Sequence, residues 1–190
     1  MGGRLSGRPF RGWQRRSTVP AASFGCGSFV ANSNVRGSMY FLSVALLLLI
    51  CPAAAVLIEH FSGAGPLMPL VGKCFTFFAV GVRLFLAGVR QTFQPAFTAE
   101  KIFGVTSPES HPIVREVGFG NLSMGAAGLV SLFLPGWLPV AAFTGGLYYG
   151  LAGIGHILNK AAHTTKEAIA LWSDVWIFLV LAAFVISSLL

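Results

Sequence analysis

Residues 140–158 contain no Asp, Glu, Lys or Arg, and the same is true of residues 41–58. Uncharged apolar runs of this length are read as membrane-spanning helices, because about 20 residues rising 1.5 Å each cover the hydrocarbon thickness of a bilayer. Three further segments, near 70–89, 113–134 and 167–190, are almost as apolar. Only 10% of the 190 residues are charged and 55% are hydrophobic. A soluble domain carries about 25% charged residues, so the shortfall points to a second apolar surface that faces lipid.

The formal charge of +7 does not indicate a nucleic-acid partner. Six of the 13 basic residues lie in the first 38 positions, and most of the others flank apolar segments, where positive-inside bias puts them. Residues 1–38 are rich in Arg, Gly and Ser, lack Asp and Glu, and show no hydrophobic period, so they are expected to be disordered. They read as an organelle transit peptide or as an extension upstream of an initiator at Met39, and the apolar run straight after Met39 favours the second. Ala53, Ala54 and Ala55 resemble a signal-peptidase site, whose use would leave four spans, but the apolar run continues to Ile58 and favours a retained helix. Cys26, Cys51 and Cys74 form no CxxC pair and no metal spacing.

Two strips of small residues predict close helix contacts. Gly118, Asn121, Gly125 and Gly128 share one face of the third span, and Gly146, Gly150, Gly153 and His156 share one face of the fourth. The two strips are expected to meet each other across the tight turn of residues 135–139, with Trp137 at the interface. Thr98 is expected to cap a short helix through Phe103 that lies on the membrane surface.

With the N-terminus cytoplasmic, five spans put Arg90, Lys101, Arg115, Lys160 and Lys166 on that side and only Lys73 opposite. Arg83, Asn121, His156 and Asp174 then fall roughly 6 to 12 Å from their cytoplasmic helix ends, with Arg115 and Glu116 at the mouth of the same layer. Polar groups in a span turn toward the bundle interior, since hydrocarbon satisfies none of them. The expected pairs are Arg83 with Asp174, and His156 with Asn121 or Glu116. Such a layer fits a small polar ligand, a lipid headgroup or a proton, and equally a purely structural role fixing helix register. Catalysis has little support, for no activated Ser or Cys, paired carboxylates or metal cluster stands out. No cofactor is indicated, and bis-histidine haem would need a second histidine within a span.

The segments GVRLFLAGVRQTFQPAFTAEKIFG, REVGFGNLSMGAAG and GGLYYGLAGIGHI, with the Ser-Asp of LWSDVW, resemble in this order a family of small multi-pass bacterial membrane proteins, similar in outline to DoxX-like proteins. The resemblance spans roughly residues 70–180. It implies a helical membrane bundle and an accessory role beside membrane oxidoreductases, without an assigned activity.

The expected fold is thus all-α: an antiparallel bundle of five transmembrane helices over residues 39–190, or four if the first is a cleaved signal. The leading functional expectation is a membrane protein that responds to a small ligand or a proton at Arg83, Arg115, Glu116, Asn121, His156 and Asp174. Its alternative is an accessory or scaffold subunit of a membrane oxidoreductase complex. The expected partners are the lipid bilayer and a membrane-protein partner or a second copy. The expected site is the bacterial inner membrane, with the N-terminus cytoplasmic and the C-terminus outward.

Overall fold

A computed structural model describes residues 42–102, 104–158 and 165–190. The basic tail of residues 1–38, Lys160 and the side chain of Lys166 lie outside what it describes. The described residues are helical, without strands, and fall within one unit, Gly37–Leu190. Six helices follow in order: α1 Leu42–Phe61, α2 Leu67–Phe93, α3 Pro95–Lys101, α4 Ser110–Val130, α5 Leu138–Leu158 and α6 Thr165–Leu189.

Three of these are long and apolar enough to cross a membrane: α1, α2 and the stretch Ala168–Leu189 of α6. The five apolar runs of the sequence therefore divide into three that meet this measure and two, α4 and α5, that do not. The reason is compositional. In α4 the exposed Arg115 and Glu116 together with the buried Asn121 lower the hydropathy, and in α5 the glycines, Tyr148, Tyr149 and His156 do.

Local chemistry explains most helix boundaries. Pro52 lies inside α1, where its ring would strike the carbonyl of Leu48 in a regular α-helix. The helix widens just before it, into a π segment at Leu46–Ile50, and the Cys51 N–H bonds the Leu46 carbonyl five residues back. Gly63 ends α1 with a positive φ of 73°, a backbone angle that L side chains rarely adopt. Pro95 stops α2 by forcing Gln94 out of helical geometry and then starts α3 itself. Thr98 is consequently not a cap. It sits buried in the middle of α3, a helix that packs against α4. Ahead of α4, the Ser107 hydroxyl donates to the Glu109 carboxylate and holds that carboxyl below the usual carboxylate range.

Helix α2 is the hub. Half of its apolar window is buried, against 22% for α1 and 17% for α6, and it touches α1, α4, α5 and α6. Its middle turns, Thr76–Leu84, form a second π segment. Ala79 and Val80 of that segment are fully buried, as are Ile177 and Leu181 of α6. On the α1 side, Lys73 pairs with Glu59.

The glycine strips find partners other than each other. The strip of α4 lies antiparallel on α2, where a methyl group added at Gly128 would stand 2.5 Å from the Gly81 nitrogen and one at Gly125 2.5 Å from the Phe85 nitrogen. On α5, Gly146 and Gly150 face Leu181 and Phe178 of α6, and Gly145 faces Val80 of α2. The short turn of residues 131–137 joins α4 to α5, but each helix lays its small residues on a different neighbour.

Candidate functional site

Two polar clusters lie on faces built by these contacts. The first belongs to α5. Gly145, Tyr149, Gly153 and His156 follow at steps of four, four and three, so they share one helix face. Near the N-terminal end of that face, the Tyr149 hydroxyl donates to the backbone carbonyl of Ala79 at 2.7 Å, tying α5 to the π segment of α2. Further along, Gly153 lets α6 come close, since a methyl group there would meet the Val175 Cγ2 at 3.2 Å and the Asp174 Cβ at 3.9 Å. One turn on, His156 Nε2 stands 3.6 Å from Asp174 Oδ2. That is longer than a hydrogen bond, but it is within ion-pair reach once the imidazole carries a proton.

Arg83 reaches the same region from α2. Among the described residues it forms no ion pair, and its Nε is buried without a hydrogen-bond partner. The expected pairing of Asp174 with Arg83 is thus replaced at close range by Asp174 with His156. Both acidic and imidazole side chains are partly covered, 15% and 33% exposed.

The second cluster joins α4 to the end of α2. Asn121 is 2% exposed, and its amide donates from Nδ2 to Gln91 Oε1 at 2.7 Å. Its Oδ1 and the neighbouring Thr92 Oγ1 are buried without partners. Gly118 gives these groups room, for a methyl group there would fall 2.8 Å from Thr92 Oγ1. Asn121 therefore pairs with an amide of α2 rather than with His156 or Glu116.

Arg115 and Glu116 join neither cluster. The buried face of α4 carries Val114, Gly118, Asn121, Gly125 and Gly128, which turns positions 115 and 116 outward, and both are exposed. Among the described residues, no three His, Cys, Asp or Glu side chains gather as metal ligands. Two residues of these clusters escaped the sequence reading. Gln91 falls just beyond the apolar segment 70–89, and Tyr149 lies between the glycines of an apolar run, so neither stands out by composition. The available signals were the lone buried amide of Asn121, which needs a partner, and the seven-residue spacing from Tyr149 to His156.

A family model matches residues 38–189, which takes in both clusters. The chain belongs to DUF6790, a family of unknown function. No curated protein and no solved structure matches it. The DUF6790 match covers α1 through α6, so the helices that build the Tyr149–His156 face and the Asn121–Gln91 pair all lie inside the family's span. A DoxX-like relationship and a bacterial source remain features of the resemblance alone.

Proposed function

We propose that this DUF6790 chain is a five-span integral membrane protein that responds to protons through the contact of His156 with Asp174. The observation that carries the reading is the 3.6 Å approach of Nε2 to Oδ2 across α5 and α6, with the Arg83 cation nearby on α2. Imidazole is the side chain whose ordinary titration lies between about pH 5 and 8. A charge change there alters the attraction between two helices that pack along much of their length, so it acts on the bundle and not only on one side chain.

The spans are α1, α2, α4, α5 and α6. Helices α4 and α5 have 21 residues each, about 30 Å of helix, which equals the hydrocarbon thickness. Asn121 of α4 and Tyr149 of α5 bond to the neighbouring helix α2, which is how buried polar residues are accommodated in lipid. Arg90 and Arg115 lie toward one end of the α2–α4 pair and Lys73 toward the other, so the basic bias favours a cytoplasmic N-terminus and an outward C-terminus. A reporter fused after Leu190 tests this. An alkaline phosphatase fusion is expected to be active and a green fluorescent protein fusion dark, and the reverse pattern means an even number of spans or an outward N-terminus.

The proton reading is tested by melting the detergent-purified chain across pH 5 to 8, as wild type and as His156→Gln. The difference between the two profiles isolates His156 from the other three histidines, which both proteins carry. We expect the melting temperature of the wild type to vary with pH in a way that His156→Gln lacks, and Asp174→Asn to remove the same component. If His156→Gln only lowers the melting temperature and the profile keeps its shape, His156 is a packing residue and the proton reading is lost.

A further inference from the structure

At the end of α2, Leu86, Val89, Arg90, Phe93 and Gln94 line a groove of about 240 Å³. Their spacing of three, one, three and one puts all five on one helix face. The groove is apolar toward Leu86 and polar at Arg90 and Gln94. Leu86 is 56% and Phe93 77% exposed, so this apolar surface is left open by the other described residues.

Arg90 is held in a defined position. Pro95 turns the chain after Gln94, and α3 then brings Phe97 beneath the guanidinium, whose carbon stands 4.5 Å from the ring centroid. A cation–π contact uses no hydrogen-bond acceptor, so the five N–H donors of the guanidinium are not consumed by the ring. Among the described residues Arg90 makes no ion pair. An oriented, unpaired cation thus sits above open apolar side chains, one turn before the end of a helix long enough to cross a membrane. Interfacial depth is where lipid phosphates lie.

We infer that this groove binds an anionic phospholipid. The phosphate oxygens accept hydrogen bonds from the Arg90 fork, the Gln94 amide meets the headgroup or glycerol oxygens, and an acyl chain runs along Leu86, Val89 and Phe93. A free phosphate has no use for the apolar half, and a zwitterionic lipid such as phosphatidylcholine brings a choline cation that opposes the arginine beside the phosphate it offers. This inference rests on α2 spanning a bilayer, but not on the contact between His156 and Asp174.

The test uses the full chain in neutral detergent, mixed with equal amounts of phosphatidylglycerol and phosphatidylcholine, with retained lipid read by native mass spectrometry. The wild type is expected to retain phosphatidylglycerol roughly fivefold over phosphatidylcholine, the size of one cation acting near a membrane surface. Arg90→Gln should bring the two lipids to parity, Arg90→Lys should keep part of the preference, and Arg115→Gln, on the exposed face of α4, should keep all of it. Preference retained in Arg90→Gln overturns the site. So does an equal loss in Arg115→Gln, which would mean a diffuse basic surface, or a dimer that disappears with Arg90→Gln, which would mean that a second copy fills the groove. Inorganic phosphate that displaces the lipid at equal concentration also overturns it. Vesicle flotation separates this failure from failure of the membrane reading. A chain that floats with neither phosphatidylcholine vesicles nor mixed phosphatidylcholine–phosphatidylglycerol vesicles is not membrane-spanning, and the site falls with that reading. A chain that floats with both but shows no lipid preference loses only the site.

Discussion

Gly125→Ala is expected to destabilise the chain by about 3 kcal/mol, and Gly125→Val to prevent recovery of folded, monodisperse protein. The added carbon of alanine would stand 2.5 Å from the Phe85 nitrogen and 2.6 Å from the Phe85 Cα. Both are backbone atoms, so no rotamer change relieves the overlap, and α4 must move away from α2. In the five-span bundle proposed above, that separation is hard to offset. Helix association there depends on van der Waals packing and short interhelical contacts, not on expulsion of water from apolar surface. Moving α4 would also stretch the hydrogen bond from Asn121 to Gln91, two groups with little access to water. Gly120→Ala is the contrast. Nothing lies within 4 Å of its added carbon, so only the intrinsic helix preference acts, and a gain of up to about 1 kcal/mol is expected. Melting of the three proteins in one detergent decides the matter. If Gly125→Ala melts with the wild type, the α2–α4 contact is looser than the geometry says and the small-residue strip is incidental.

Much of this packing was legible in the sequence, but its pairing was not. The strips on α4 and α5 followed from spacing, because glycines three and four apart must share a helix face. Which helix each strip would face did not follow, since spacing is a property of one helix alone. The missing clue lay in α2. Gly81 and Gly88 are seven residues apart on one face and mark it as the partner of the α4 strip. Likewise, the widening of α1 is readable from Pro52, whereas the π segment of α2 contains no proline and has no local sequence cause. It arises where α2 must fit several neighbours at once, and tertiary demands of that kind leave no mark on a single helix. The polar residues show the same division. His156 and Asp174 stood out because ionisable groups are rare in apolar spans. Gln91 did not, because an amide near the end of a span is unremarkable until the buried Asn121 facing it is known.

The π segment also links the two halves of the candidate site, and the link has a measurable consequence at Tyr149. Ala79, whose carbonyl accepts the Tyr149 hydroxyl, lies four residues before Arg83 in the same segment. His156 lies seven residues after Tyr149 on the same face of α5. One hydrogen bond therefore fixes α5 against the stretch of α2 that presents the arginine to Asp174. Tyr149→Phe keeps the ring and its edge contact with Tyr148, and removes only the hydroxyl. The expected loss is about 1 to 3 kcal/mol, the range for a buried hydrogen bond whose acceptor has no water to turn to. Tyr148→Phe, on the neighbouring half-buried ring, serves as the control and should cost less than about 0.5 kcal/mol. A structural bond far from the site would add independently to His156→Gln. A bond that holds Arg83 in place should not, and the double mutant Tyr149→Phe/His156→Gln is expected to depart from additivity by more than about 0.5 kcal/mol. The pH profile supplies the second readout, for Tyr149→Phe should change its shape even though phenols ordinarily ionise at about pH 10, well above the range measured. Additive stabilities together with an unchanged profile would confine Tyr149 to packing and disconnect the arginine from the imidazole and carboxylate it approaches.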